Sequence, residues 1–147
     1  MSFHYLLDTN IISHMMKTPQ GIVAQRMQQI TENAISNDNP APICTSVIVQ
    51  GELLFGLAKT PSNRLHTAYA TTMKYIPVLS LEPAVAQYYS QIRLALTRAG
   101  TPIGGNDTLI AAHALAFGYT VVTDNEDEFR RVAGLNVENW SKPPENT

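Results

Sequence analysis

The sequence predicts an α/β fold: a parallel sheet of four to five strands wrapped by helices. Three observations carry that expectation. Apolar runs of strand length recur near residues 3–7, 43–45, 76–79 and 119–123. Helical stretches separate each run from the next, which is the connection that parallel neighbours require. A carboxylate, Asp8, closes the first run, at the strand end where open α/β sheets bind ligands.

Residues 3–7 are too short for a helix and are flanked by polar side chains, so they read as a strand. Thr9–Asn10 ends it and offers caps for a short helix through Ile11, Ile12 and Met15, broken by Pro19–Gln20–Gly21. A second helix places Ile22, Met27 and Ile30 among polar residues, and residues 36–42 form a loop. Ile43–Thr45 is the second strand, with Ser46 as N-cap of a helix from about 47 to 58. After the break at Thr60–Pro61–Ser62, Pro61 suits the first turn of a helix reaching residue 73. Residues 76–79 form a third strand, and Pro77 favours an edge position. Glu82–Pro83 opens a long helix ended by Gly100. Residues 101–106 are a loop in which Asn106 is the N-cap candidate for a helix through Phe117, stopped by Gly118. Residues 119–123 form the fourth strand, and Val137 lies in a weak fifth before Trp140. The tail from Ser141, with two prolines, is expected to be loose.

At 147 residues, 44% of them hydrophobic, the chain is expected to be one domain (1–147) with a substantial core. The net charge of -2 excludes a broadly basic protein that coats nucleic acid. It leaves room for an enzyme that grips nucleic acid locally. Cys44 is the single cysteine, so no intrachain disulfide can form, as suits a reducing compartment. No apolar stretch approaches the roughly 20 residues that span a bilayer, and the first strand begins without a charged leader. A cytoplasmic protein with no membrane partner is the expectation.

Four acids stand at structural punctuation points: Asp8, Glu52, Asp107 and Asp124. Asp8 can cap the next helix, but Thr9 and Asn10 can do so instead and leave it free as a ligand for a hard cation. Glu52 interrupts the almost wholly apolar run 47–57, which also holds Gly51 and Gly56. Each helical glycine costs about 1 kcal/mol against alanine, so close backbone packing is expected to compensate. Asp107 begins a helix, where an acid ordinarily complements the helix dipole. Ala111, Ala112 and Ala114 imply tight seating of that helix, which would hold Asp107 at the sheet edge beside Asp8. The segment Thr123–Phe129 holds four of the twelve acids. Asp124 directly follows the strand and is best placed for the cleft; Asn125 and Glu128 are rivals. Two carboxylates about 5 Å apart repel by roughly 3 kcal/mol at an effective dielectric of about 20. No Lys or Arg lies near Asp8, Glu52 or Asp107 in sequence, so a cation is the economical way to gather them.

The motifs Leu7–Asp8–Thr9–Asn10, Gly51–Glu52–Leu53 with Gly56, Gly104–Gly105–Asn106–Asp107 leading to Ile110–Ala114, and Val122–Thr123–Asp124–Asn125 with Glu128–Phe129 occur in order from Tyr5 to Trp140. Together they resemble the PIN-domain family of metal-dependent ribonucleases, and within it the VapC-type toxins of bacterial toxin–antitoxin pairs. The resemblance implies an α/β/α sandwich and an acidic pocket holding Mg²⁺ or Mn²⁺. It also implies endonucleolytic cleavage of RNA, with tRNA one candidate substrate. Asp8, Glu52 and Asp107 fall where the family's metal-binding acids are expected. Many members carry asparagine where Asp124 stands, so Asn125 or Glu128 could hold the functional place. The loop at residues 37–42 is longer than usual.

On this reading Asp8 and Asp107 are direct ligands, Glu52 is a ligand or water-orienting base, and Asp124 completes the shell or binds a second ion. Thr9 and Thr123 supply supporting hydroxyls. Substrate grip falls to Lys17, Arg93, Arg98 or Arg130, and His113 is packed rather than catalytic. Phe55, Leu57, Tyr69 and Met73 read first as core. The resemblance adds that the helical pair 47–73 receives a cognate antitoxin segment, with a homodimer or a toxin–antitoxin hetero-oligomer as the assembly. Two other classes find less support: Asp8–Thr9–Asn10 lacks the second aspartate of a phosphotransfer hydrolase, and no glycine-rich phosphate loop follows the first strand. A purely interacting α/β module remains the rival, and it would cleave no RNA.

Overall fold

The computed structural model describes residues 3–38 and 42–143. Five strands form one parallel sheet: β1 (Tyr5–Leu7), β2 (Ile43–Ser46), β3 (Val78–Leu79), β4 (Thr120–Val122) and β5 (Val137–Glu138). Their order is β3-β2-β1-β4-β5. The chain therefore moves outward from β1 in one direction through β3, then returns to place β4 on the other side of β1. Leu7 is level with Thr45 of β2 and with Val122 of β4, so Asp8, Ser46 and Thr123 leave the sheet at the same height.

Helices flank this sheet in an α/β/α arrangement: α1 (Thr9–Lys17), α2 (Ile22–Ser36), α3 (Val47–Lys59), α4 (Asn63–Met73), α5 (Ala84–Arg98), α6 (Gly105–Phe117) and α7 (Glu126–Phe129). Leu6, Leu7, Ile43, Cys44, Val121 and Val122 are all buried, both faces of the central strands being covered. Helix α6 buries Ile110, Ala111, Ala112 and Ala114, and packs most extensively on α5. Among the described residues no helix is long and apolar enough to cross a membrane.

Local signals were followed with some exceptions. Ser46 caps α3, accepting from Ile48 N at 3.2 Å. Gly118 ends α6 with φ +75°, a left-handed conformation that suits glycine. Strand β3 is the sheet edge, consistent with Pro77 beside it, whose carbonyl accepts from Thr45 N. Pro61 stands outside α4, which Ser62 caps by accepting from Leu65 N at 3.2 Å. Asn106 is not the cap of α6 either: Gly104 takes that place and Asn106 lies within the first turn. The tail is tied down at its start, for Ser141 and Lys142 bond to Asp124 and Glu126. Residues 39–41 of the loop and 144–147 of the tail lie outside the described residues.

Candidate metal centre

The strand order reverses beside β1, and Asp8 and Thr123 straddle that reversal at the carboxyl ends of β1 and β4. Diverging connections open a crevice there. Asp8 is only 4% exposed. It caps α1 after all, Oδ1 accepting from Thr9 N at 2.8 Å, while Oδ2 accepts from Thr123 Oγ1 at 2.8 Å. Asn10 Nδ2 approaches the same Oδ2 at 3.5 Å, and its Oδ1 accepts from Asp124 N at 3.0 Å. Asn10 thus bridges the loops after β1 and β4, a role its place in a capping sequence did not disclose. Burial pushes the Asp8 carboxyl above the ordinary carboxylate range; its bonds to Thr123 and Thr9 oppose that, and Glu52 adds to it.

Glu52 lies in the second turn of α3 and half-buried, and Oε1 accepts from Thr9 Oγ1 at 2.7 Å. Thr9 thereby holds two acids, one through its backbone and one through its hydroxyl. Asp107, half-buried in the first turn of α6, hydrogen-bonds with Glu128 of α7. Its pKa is raised to about 7, by burial first, then by the charge of Asp8, the bond to Glu128, and the charges of Glu128 and Glu52. Asn125 Nδ2 donates to Glu128 Oε2 at 2.8 Å and fixes its direction. Helix α7 is a single turn and could not persist alone; the fully buried Phe129 anchors it.

The structure therefore brings Asp8, Glu52, Asp107 and Glu128 into mutual influence, and Asp124 faces elsewhere. Its side chain is exposed, with Oδ1 accepting from Ser141 Oγ at 2.7 Å and Asn139 Nδ2 at 3.2 Å. Those two bonds, the one from Ser141 foremost, hold its carboxyl below the ordinary range. Position next to the strand favoured Asp124, but the tail returns to claim it, and Glu128, one helical turn further on, takes the inward place.

Several neighbours also differ from expectation. No atom outside the local helix lies within 4 Å of a Cβ built on Gly51 or Gly56, so close packing does not offset their helical cost. They instead line an open groove of about 610 Å³ with Thr9, Val47, Glu52 and Phe55. Phe55 is 63% exposed there, whereas Leu57 is buried; Tyr69 and Met73 are half-buried. Thr123 spends its hydroxyl proton on Asp8 and accepts from Asn125 N at 3.0 Å, so it positions other groups rather than a ligand. His113 is packed, with Nδ1 at 2.9 Å from Ser46 Oγ, and burial lowers its pKa. Arg93 meets Tyr89, Lys17 and Arg98 are exposed, and Arg130 pairs with Glu126.

Among the described residues both ion pairs belong to Glu126, so none of the four gathered acids has a cationic partner. Nor are three of them already drawn tightly around one point: the hydroxyls of Thr9 and Thr123 hold Glu52 and Asp8, and Asn125 holds Glu128. The donor set consists of carboxylate oxygens, which fit a hard divalent cation such as Mg²⁺ or Mn²⁺.

A family model for the PIN domain matches residues 5–135. The chain is 35% identical over 139 residues to the tRNA(fMet)-specific endonuclease VapC of Shigella flexneri, covering 93% of this chain and 98% of that one. It is 32% identical over 137 residues to ribonuclease VapC2 of Haemophilus influenzae, covering 92% and 97%. Among solved structures, VapBC2 of Rickettsia felis bound to a promoter DNA fragment superposes with a TM-score of 0.83 at 29% identity, covering 94% of this chain and 99% of that one. A family-model match over residues 5–135, with relatives above 30% identity across nearly the full length, places this chain in the PIN-domain family, among its VapC members.

Proposed function

We propose that this protein is the RNA-cleaving toxin of a toxin–antitoxin pair, a divalent-metal-dependent endoribonuclease. One observation supports the catalytic reading: four carboxyl groups, from the end of β1 and from α3, α6 and α7, lie within electrostatic influence of one another beside the sheet's reversal point, without a Lys or Arg paired to them among the described residues. Asp8 and Asp107 would hold Mg²⁺ or Mn²⁺ directly, with Glu52 and Glu128 beside them. A divalent cation held there would supply Lewis-acid chemistry, activating water and balancing the negative charge of the phosphodiester.

The chain's own groups do the positioning. Thr123 and Thr9 fix Asp8, Thr9 also fixes Glu52, and Asn125 aims Glu128. Burial and the neighbouring acids raise the Asp107 pKa to about 7 in the absence of a cation, so cation binding there would strengthen as pH rises and the carboxyl ionises. Similarity to a tRNA(fMet)-specific enzyme supports initiator tRNA as the first substrate to test.

An antitoxin is the expected partner, since a solved relative is a VapBC2 assembly. The groove along Val47, Gly51 and Phe55 opens onto Glu52, and it suits an apolar segment that carries a basic side chain to the acids. The missing glycine side chains keep that groove open.

Purified protein is expected to cleave initiator tRNA in Mg²⁺ or Mn²⁺ and to stop in chelator. Asp8→Asn and Asp107→Asn are each expected to abolish cleavage while the melting temperature holds or rises, because a repelling charge is lost. Intact tRNA across varied structured RNAs, or unchanged turnover in either variant, would refute the reading.

A further inference from the structure

Arg26, Arg130 and Lys142, three of the ten Lys and Arg residues in the chain, line one cavity of about 460 Å³ between α2, β5 and the segment leading to Pro143. Glu126 pins two of them to the wall, meeting Arg130 Nη2 at 3.1 Å and Lys142 Nζ at 2.9 Å. Pairs with cationic side chains this exposed are weak, so both cations stay open to another anion. Arg26 is different. Its Nε is buried and donates to no acceptor among the described residues. Arg26 also takes no part in either ion pair among the described residues, so its guanidinium stands in the cavity wall without a carboxylate of its own. The other acid of the wall, Glu138, is engaged by Trp140 Nε1 at 3.2 Å.

A short hydrogen-bonded relay links this cavity to the acidic centre. Asn10 approaches Asp8 and accepts from Asp124 N; Asp124 Oδ1 accepts from Asn139 Nδ2, and Asn139 lines the cavity. Asn139, just past β5, and Thr123, just past β4, follow neighbouring strands whose ends are level, Val122 pairing with Glu138. A polyanion threaded across those strand ends is repelled at the acids and needs grip beside them. The cavity volume lies within the range of about 300–1,000 Å³ that holds small ligands, enough for a nucleotide unit.

We infer that this cavity is a phosphate-docking subsite for substrate RNA, in which a phosphodiester outside the scissile one is held by Arg26, with Arg130 and Lys142 closing over it. The inference rests on the ribonuclease reading and extends it to substrate positioning.

The test uses initiator tRNA as probe, with binding read by fluorescence anisotropy on the Asp8→Asn protein and turnover read separately on the wild-type background. Arg26→Gln, Arg130→Gln and Lys142→Gln, singly and together, are expected to weaken binding. The slope of log affinity against log salt should fall by about one for each phosphate no longer neutralised. KM should rise about 10-fold in the triple variant with kcat unchanged within about two-fold, as removal of uniform binding requires. Arg26→Lys should recover most of the salt slope.

Unchanged affinity and slope in the folded triple variant would overturn the proposal, leaving the cations a purely structural role with Glu126. A drop in kcat at unchanged affinity would overturn it too. Should Arg26→Gln fail to fold, the exposed Arg130→Gln/Lys142→Gln pair decides by the same readouts. Failure of the ribonuclease reading shows independently, as wild-type protein that leaves the tRNA intact.

Discussion

Thr123 Oγ1 donates to Asp8 Oδ2 at 2.8 Å, joining the residue after β4 to the acid after β1 across 115 positions. Both residues are buried, so the bond both orients the acid and restrains its pKa. Thr123→Val keeps the shape and removes the donor. Turnover is expected to fall about 10- to 100-fold, as when a group that orients a metal ligand is removed. Stability should fall by about 1–3 kcal/mol, because a buried acceptor is left without its partner. Thr123→Ser should retain most of both. Kinetics and denaturant melts on the three proteins check this, and an equal loss in Ser and Val variants would mean that the methyl group, not the hydroxyl, matters.

Asp107 gives a pH dependence of definite sign. Its pKa is about 7 in the folded protein against an ordinary 3.8. A carboxyl raised on folding contributes stability that is complete below the unfolded value and is lost as pH rises through the folded one. In chelator, the melting temperature is therefore expected to decline between about pH 4 and pH 7 through this group. Asp107→Asn should flatten that decline. Added Mg²⁺ should restore stability toward about pH 8, where the deprotonated acids bind a cation best. A chelated wild type whose melting temperature climbs through this window relative to Asp107→Asn would contradict a raised Asp107 pKa.

The fourth acid can be identified by two conservative changes. Glu128→Gln removes the inward charge beside Asp107, and cleavage is expected to drop at least about 10-fold. Asp124→Asn keeps an oxygen to accept from Ser141 and Asn139, so turnover should remain within a few-fold of wild type. Steady-state cleavage of initiator tRNA distinguishes the two; the reverse order of effects would return the functional place to Asp124.

Much of the architecture was legible because its signals are local. Apolar runs of strand length, the Ser46 cap and the Gly118 stop each act within a few residues, and each appears where expected. Asp8 and Asp107 stood out as acids at element ends, and Glu52 as the lone charge in the apolar run 47–57. The misplacements have physical causes. Asn106 yielded to Gly104 because α6 already begins at Gly105, which puts Asn106 inside its first turn. Gly51 and Gly56 pointed to close packing, but they border a groove open to solvent. The tail was expected to be loose from its prolines, although Ser141 and Lys142 find acidic partners 17 and 16 positions back.

Chain order, residue spacing and capping chemistry were enough to determine an alternating α/β topology and to nominate four acids, Asp8, Glu52, Asp107 and Asp124, since these depend on backbone preferences acting over a turn or a strand. Only the folded arrangement showed that Glu128 stands beside Asp107 while Asp124 turns to the tail, that Asn10 spans two loops, and that Arg26, Arg130 and Lys142 line one cavity. Those outcomes depend on distances between side chains far apart along the polymer. Electrostatic repulsion, desolvation and hydrogen bonding act through space, so their balance exists only once the sheet has set the strand ends side by side.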